Sequence, residues 1–413
     1  MKKRYRRTAV SQYLIIALAL IFIFCLVYFS TKVMTSIPFE DDFVIPWTAG
    51  RSWLLEGINP YDPAVVGRAE DTISKSDYLA DLPVSAMLFH PLINLIFYLP
   101  FSLIPYEISR AIWITFITIS IAVICYISLM LSGWQVSAIE KVGIILLFTF
   151  WMPSIHSILS GYFTPIMILL IFLGIYLILK EQDNTAGFVL SLTIGSLPIS
   201  LIITIAIIIW SISHRRWSIL ISYFYGGAFL IIVSLLLLPT WPLDWLHILI
   251  NIIENGDWLQ TPLMLLASLL PGIENFLMIF LHSVVLIYLV ILWITIWKKT
   301  GRVLIWKTFM VLLLSVFLSL QLTISGLFFV MPAALLVFRF WCERWGWAGK
   351  ILTWVSITTL VVGTWLSLYT EINFSKEITS PMLFIGLPML VLIGMIWIRW
   401  WALEIPRIPN QFS

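Results

Sequence analysis

Charge is what this chain has least of. Only 11% of its 413 residues are Asp, Glu, Lys or Arg, where a soluble domain carries about 25%. That scarcity excludes a soluble globular enzyme, a disordered chain and a nucleic-acid-binding protein. Cysteine is also scarce. Cys25, Cys125 and Cys342 lie far apart, in or beside apolar runs, with no CxxC or metal spacing, so they read as buried thiols. The five histidines show neither HxxxH nor HxxE spacing, so no metal site of the usual kind is expected. No internal repeat or low-complexity tract is visible.

Hydrophobic residues make up 61% of the chain, and the mean hydropathy is +1.02. They come in runs of about 20 residues, the length that crosses a bilayer core as a helix. Many of the 21 Trp sit near the ends of these runs, as interfacial anchors do. The expectation is an all-α polytopic membrane protein, one integral domain over residues 1–413, with about twelve spans.

The placement of charge gives a topology. Lys2-Lys3-Arg4-Tyr5-Arg6-Arg7 precedes an apolar run over residues 13–34. The run is too long for a signal peptide and lacks a small-x-small cleavage site, so it reads as an uncleaved first helix. Further basic clusters are His214-Arg215-Arg216, Lys298-Lys299 with Arg302, Arg339 with Arg344 and Lys350, and Arg399 with Arg407. Short loops rich in Lys and Arg stay cytoplasmic. Both termini are then cytoplasmic in the cell membrane, and residues 239–275, 321–326 and 369–380 lie outside. Residues 35–83 break the hydropathy most. Nine acids there face three bases, Arg51, Arg68 and Lys75, which marks an outer loop. Gly57, Pro60 and Pro63 divide it into two expected interfacial helices.

Residues 84–104 admit two readings. If they cross fully, 186–213 is one kinked helix. If they dip in and return, 186–213 becomes a hairpin turning at Gly195-Ser196-Leu197-Pro198. The second obeys the charge rule better; the first avoids a long re-entrant segment.

Polar groups concentrate in the first outer loop, where Asp41 and Asp42 adjoin. A low-dielectric setting and a like-charged neighbour both raise a carboxylate pKa, which suits a general base. A solvated acidic loop that enforces topology has the same composition. The ordered pattern Asp42-Phe43, Trp47, Ala49-Gly50, Leu54-Leu55, Gly57 and Asn59-Pro60-Tyr61-Asp62 resembles the start of glycosyltransferase family 87 (DUF2029), bacterial enzymes of the GT-C fold. Phe89-His90-Pro91-Leu92, Leu99-Pro100, Ile104-Pro105 and Ala111-Ile112-Trp113 continue it, and the first third of the chain carries most of the likeness. Later landmarks depart from the family. A Gly-Gln-x-Asn slot holds Gly161-Tyr162-Phe163-Thr164, and a Lys-Pro slot holds Leu197-Pro198.

The resemblance implies a donor, a polyprenyl-phosphate sugar (mannose in part of the family), and a lipid or glycan acceptor, with transfer at the outer face among membrane lipids. It assigns the catalytic base to Asp42, with Asp41 second. It implies no cofactor, and metal dependence is left open. Substrate-binding candidates are Arg51, Tyr61, His90, Arg110, His247 and Gln260. Arg110 opens a helix, where anions are favoured, although a plain helix anchor paired with Glu107 fits as well. His90 stands where the family has an aromatic-Pro element. Apolar positions 243, 246, 249, 250 and 253 predict an amphipathic helix in the second outer loop, where His247 and Gln260 fall. His156 and His282 read as satisfied core histidines. A transporter or flippase, or a non-catalytic envelope scaffold, are the competing classes. The middles of the apolar runs hold few ionisable groups, which disfavours a transporter.

Overall fold

The computed structural model describes residues 27–28, 41–74, 90–254, 261–319, 323–370 and 382–400. Every regular element among them is helical. The expected first helix at 13–34 (apart from 27–28), the loop residues 35–40 and 75–83, Phe89, Gln260, residues 371–380 and the C-terminal stretch lie outside the described residues.

The chain forms two compact units. One comprises Met1–Leu88, Phe97–Ile119 and Ile158–Tyr162; the other comprises Phe89–Ile96, Ser120–Ser157 and Phe163–Ser413.

In the first unit, two helices stand where Gly and Pro predict two, at Val44–Glu56 and Ala64–Ser74. The Asp62 carboxylate accepts the Ala64 N–H at 2.8 Å and starts the second. An ion pair between Arg68 and Glu56 ties the two together, while Val65 and Ala69 are buried. Prolines fragment residues 90–104 into short pieces. They contain two one-turn helices: Leu92–Leu95, which belongs to the second unit and follows Pro91, and Leu99–Ser102 of the first, which contains Pro100; each Pro lacks a backbone donor. This stretch is therefore no single crossing helix. A regular helix begins only after Pro105, at Tyr106–Ser132.

The second unit resolves the related ambiguity at 186–213. Helix Asp183–Ser191 ends in a short turn of 3-10 helix, Ile194–Ser196, and the chain continues as Leu197–Ser213. Arg216, at the start of helix Trp217–Leu237, forms a two-pronged ion pair with Asp183, its Nε 2.9 Å from one carboxylate oxygen. The chain that leaves at Asp183 has thus come back by Arg216. Helices Asp183–Ser191 and Trp217–Leu237 then run side by side in the same direction, with Gly187 against the Ile219 carbonyl and Gly226 against Ser191. The segment is a hairpin, as the re-entrant reading requires. Its turn is held by the Asn94 amide, which donates to the Gly195 carbonyl and to Ser196 Oγ, both at 3.1 Å.

Four helices among the described residues are long and apolar enough to cross a membrane: Tyr106–Ser132, Trp217–Leu237, Glu274–Thr295 and Ile324–Leu366. The pair Ala138–Thr149 and Met152–Leu159, bent by 58°, makes a fifth if counted as one. About twelve continuous spans are therefore not what the described residues contain. Breaks explain part of the difference. Helix Val330–Thr370, for example, reverses at Gly346, whose φ is 52°. Past that point Thr353 Oγ1 returns to within 3.5 Å of the Phe338 carbonyl, so 330–345 and 347–370 lie antiparallel.

Gly349 permits this close reversal. A Cβ there would sit 2.0 Å from the Trp341 carbonyl oxygen, whereas one at Gly363 would meet nothing within 4 Å. Gly349→Ala is expected to destabilise the protein by at least about 1–3 kcal/mol, the range for overpacking. Gly363→Ala should be neutral or stabilising by a few tenths of a kcal/mol to about 1 kcal/mol. Thermal unfolding in detergent checks both, and equal behaviour would contradict the packing described.

Three of the basic clusters expected on one membrane side, at 214–216, 298–299 and 399, lie near one another in this unit. Lys298 N–H donates to Ser213 Oγ at 3.2 Å, Trp210 Nε1 donates to the Lys299 carbonyl at 2.9 Å, and the Arg399 guanidinium lies 5.8 Å from the Trp306 ring centre. Helix Trp241–Glu254 occupies the expected amphipathic segment, with Leu243, Leu246 and Ile250 exposed and Ile248 buried.

Candidate functional site

The two adjoining carboxylates behave differently. Asp41 is buried; Asp42, next to it, is half-buried. Asp41 Oδ1 accepts the Phe43 N–H at 2.9 Å. Its other oxygen accepts the Tyr106 hydroxyl and lies 3.0 Å from Arg110 Nε. Burial pushes the Asp41 carboxyl above its ordinary value, while Arg110 and the Phe43 and Val44 amides pull against that rise. Asp41 thus meets a free amide just ahead of helix Val44–Glu56. Tyr106 and Arg110 are one turn apart on a single helix, so they present to Asp41 together.

Arg110 is 2% exposed, and its Nη2 donates to the Leu159 carbonyl at 3.2 Å. The Asp42 N–H donates to the Ser160 carbonyl at 2.9 Å. Trp113 Nε1 donates to the Gly161 carbonyl at 2.8 Å. Gly161 has a φ of +72°, and a Cβ there would come within 3.2 Å of Phe43 Cβ. That combination of left-handed backbone and close approach requires glycine. Residues 158–162 are therefore pinned beside the carboxylates by three separate bonds.

Aromatic rings fill the space beneath. Phe43 lies 5.3 Å from the Trp113 ring and 5.8 Å from Tyr98, and Tyr98 and Trp113 are 4.5 Å apart. Trp47 donates through Nε1 to the Phe101 carbonyl at 3.0 Å. The Arg51 guanidinium lies 5.3 Å from the Trp47 ring centre and reaches the Ser102 carbonyl at 3.1 Å. A Cβ on Gly50 would strike Ser102 Oγ at 2.4 Å. The sequence elements Asp42-Phe43, Trp47, Gly50, Leu99-Pro100, Trp113 and Gly161 thus meet in one cluster.

The fold brings Asp41, Asp42, Arg51 and Arg110 together in this unit. Tyr61 shares the unit, 9% exposed, with its N–H on Asn59 Oδ1 at 3.0 Å. His90 and His247 belong to the other unit. His90 stands edge-on to Phe163 with ring centres 5.9 Å apart, and His247 is exposed on its helix. The arginine expected near a phosphate, or paired with Glu107, is instead committed to Asp41. Tyr106 was not among the sequence candidates. Its i, i+4 spacing to Arg110, directly after Pro105, was the available signal. No group of three or more His, Cys, Asp or Glu side chains poised for a metal occurs among the described residues.

The model of glycosyltransferase family 87 matches residues 89–319, more than half of the chain, and the chain belongs to that family. It is accordingly a membrane glycosyltransferase. The matched region begins after Asp41 and Asp42 and takes in Trp113, Gly161 and the 183–213 hairpin. The matched region therefore includes the landmarks from Phe89 to Trp113 and extends well past the first third of the chain. No curated protein and no solved structure matches.

Proposed function

We propose that the protein transfers a sugar, mannose-like by family, from a polyprenyl-phosphate donor to an envelope lipid or glycan acceptor on the outer face of the cell membrane. Asp42 is the base. The acceptor hydroxyl gives its proton to the Asp42 carboxylate while its oxygen bonds to the anomeric carbon. The bond from that carbon to the phosphate oxygen breaks, and polyprenyl phosphate leaves with the electron pair. Attack opposite the leaving group inverts the anomeric centre.

The observation that carries this reading is the difference between the neighbours. Asp41 is buried and bonded to Arg110, Tyr106 and the Phe43 N–H, while Asp42 is only half-buried, its N–H donating to the Ser160 carbonyl. Arg110 and Asp41 act as positioning residues. Arg51, half-buried on the helix that begins beyond Asp42, is the nearest cation in sequence for the leaving phosphate. The exposed apolar side chains of Trp241–Glu254 fit a helix lying against lipid.

The test offers purified protein a polyprenyl-phosphate sugar or a nucleotide sugar, together with lipid and glycan acceptors. Release of polyprenyl phosphate with an inverted glycoside product is expected from the first donor only. Transfer from the nucleotide sugar alone would overturn the donor assignment.

A further inference from the structure

The basic end of the second unit contains a cation that the transfer chemistry does not use. Lys307 lies in helix Gly301–Phe317 and is 8% exposed. Its Nζ donates to the Thr295 carbonyl at 2.5 Å, at the end of helix Glu274–Thr295. A helix C-terminus welcomes a cation. That bond uses one of three ammonium donors. The charged groups that act on Lys307 are Lys299 and Arg399, both positive. Among the described residues no carboxylate pairs with Lys307 or Lys299. Thr300, the cap of helix Gly301–Phe317, accepts no amide through its side chain, so no side-chain cap meets the first donors of that helix.

Beside this cluster runs an apolar groove, partly open to the outside. Leu131, Ile175, Ile203, Trp210, Ile296 and Leu304 line it. Groove and cation share their framework. Leu304 and Thr308 of the groove flank Lys307 on one helix, and Ile296 directly follows Thr295. A buried lysine beside an exposed one at an apolar surface, with no carboxylate paired to either, calls for an anion that also brings hydrocarbon.

We propose that this end of the second unit binds an anionic phospholipid, its phosphate diester against Lys307 and Lys299 and one acyl chain in the groove. The site is separate from the transferase reading and stands or falls without it.

The full chain in detergent, stripped of lipid, would be titrated with micelles containing phosphatidylglycerol or phosphatidylcholine. Native mass spectrometry and thermal unfolding are the readouts. One retained phosphatidylglycerol per chain and a saturable rise in Tm are expected, with no such response to phosphatidylcholine. Lys299 is exposed, so Lys299→Gln should fold and lose about fivefold in apparent affinity, the worth of one basic residue near an anionic lipid surface. Lys299→Gln with Lys307→Met should abolish the preference. Should the double variant fail to fold, Lys299→Gln alone decides. Equal responses to the two lipids, an unchanged preference in Lys299→Gln, or retention of added polyprenyl phosphate in place of phosphatidylglycerol would each overturn the proposal.

Discussion

Arg110→Met is expected to cost about 3–5 kcal/mol of folding stability, because it leaves a buried carboxylate without its cation. The wild-type pair is 3.0 Å apart, with both side chains almost fully covered. Burial already pushes the Asp41 carboxyl up, and Arg110 is the strongest opposing influence. In the variant Asp41 would rise further and take up a proton. A group whose folded-state pKa lies above its unfolded value favours the fold at pH below the unfolded value, and that contribution is lost as pH rises through the folded value. The variant should therefore be more stable in acid than at neutrality. Adding Asp41→Asn should recover part of the loss, because an amide needs no counter-charge. Thermal unfolding across pH checks the chain of reasoning. A pH-independent loss, or no rescue by Asp41→Asn, would show that the pair is not what holds this corner together.

Asp42→Asn should leave the folded yield and unfolding temperature near wild type while lowering transfer by about 10²–10⁴-fold, the usual contribution of a general base. Asn keeps the backbone donor that bonds Ser160 and nearly the same volume, while it removes the charge and the capacity to accept a proton. Asp41→Asn should differ in kind. It weakens bonds to Arg110 and Tyr106, so activity and stability fall together. Rates with a polyprenyl-phosphate sugar, measured beside unfolding curves, separate the two. Full activity in Asp42→Asn would remove that residue from the chemistry.

The helical class, the basic clusters and the paired loop helices were legible because each rests on local properties: apolar run length, Lys and Arg position, and the stops at Gly57, Pro60 and Pro63. The neighbourhood of the carboxylates was legible only as a set of landmarks. Nothing in the order of residues 40–62 tells which of Asp41 and Asp42 turns inward. That choice is made by Tyr106 and Arg110, more than sixty positions away. Arg110 read either as a phosphate ligand or as a helix anchor paired with Glu107, and the anion it meets is instead the Asp41 side chain. The ambiguity at 186–213 could not be settled locally either. It turned on Asp183 finding Arg216, a long-range pairing that hydropathy does not register.

That pairing also bears on how crossings are counted. Since the chain enters at Asp183 and is back level with it by Arg216, this stretch contributes an even number to the tally of passages. Everything downstream keeps the sidedness it would have had if the stretch were deleted. A hydropathy profile that scores 186–213 as one passage, with everything upstream counted the same, would invert the assigned side of every later segment, the Trp241–Glu254 helix included.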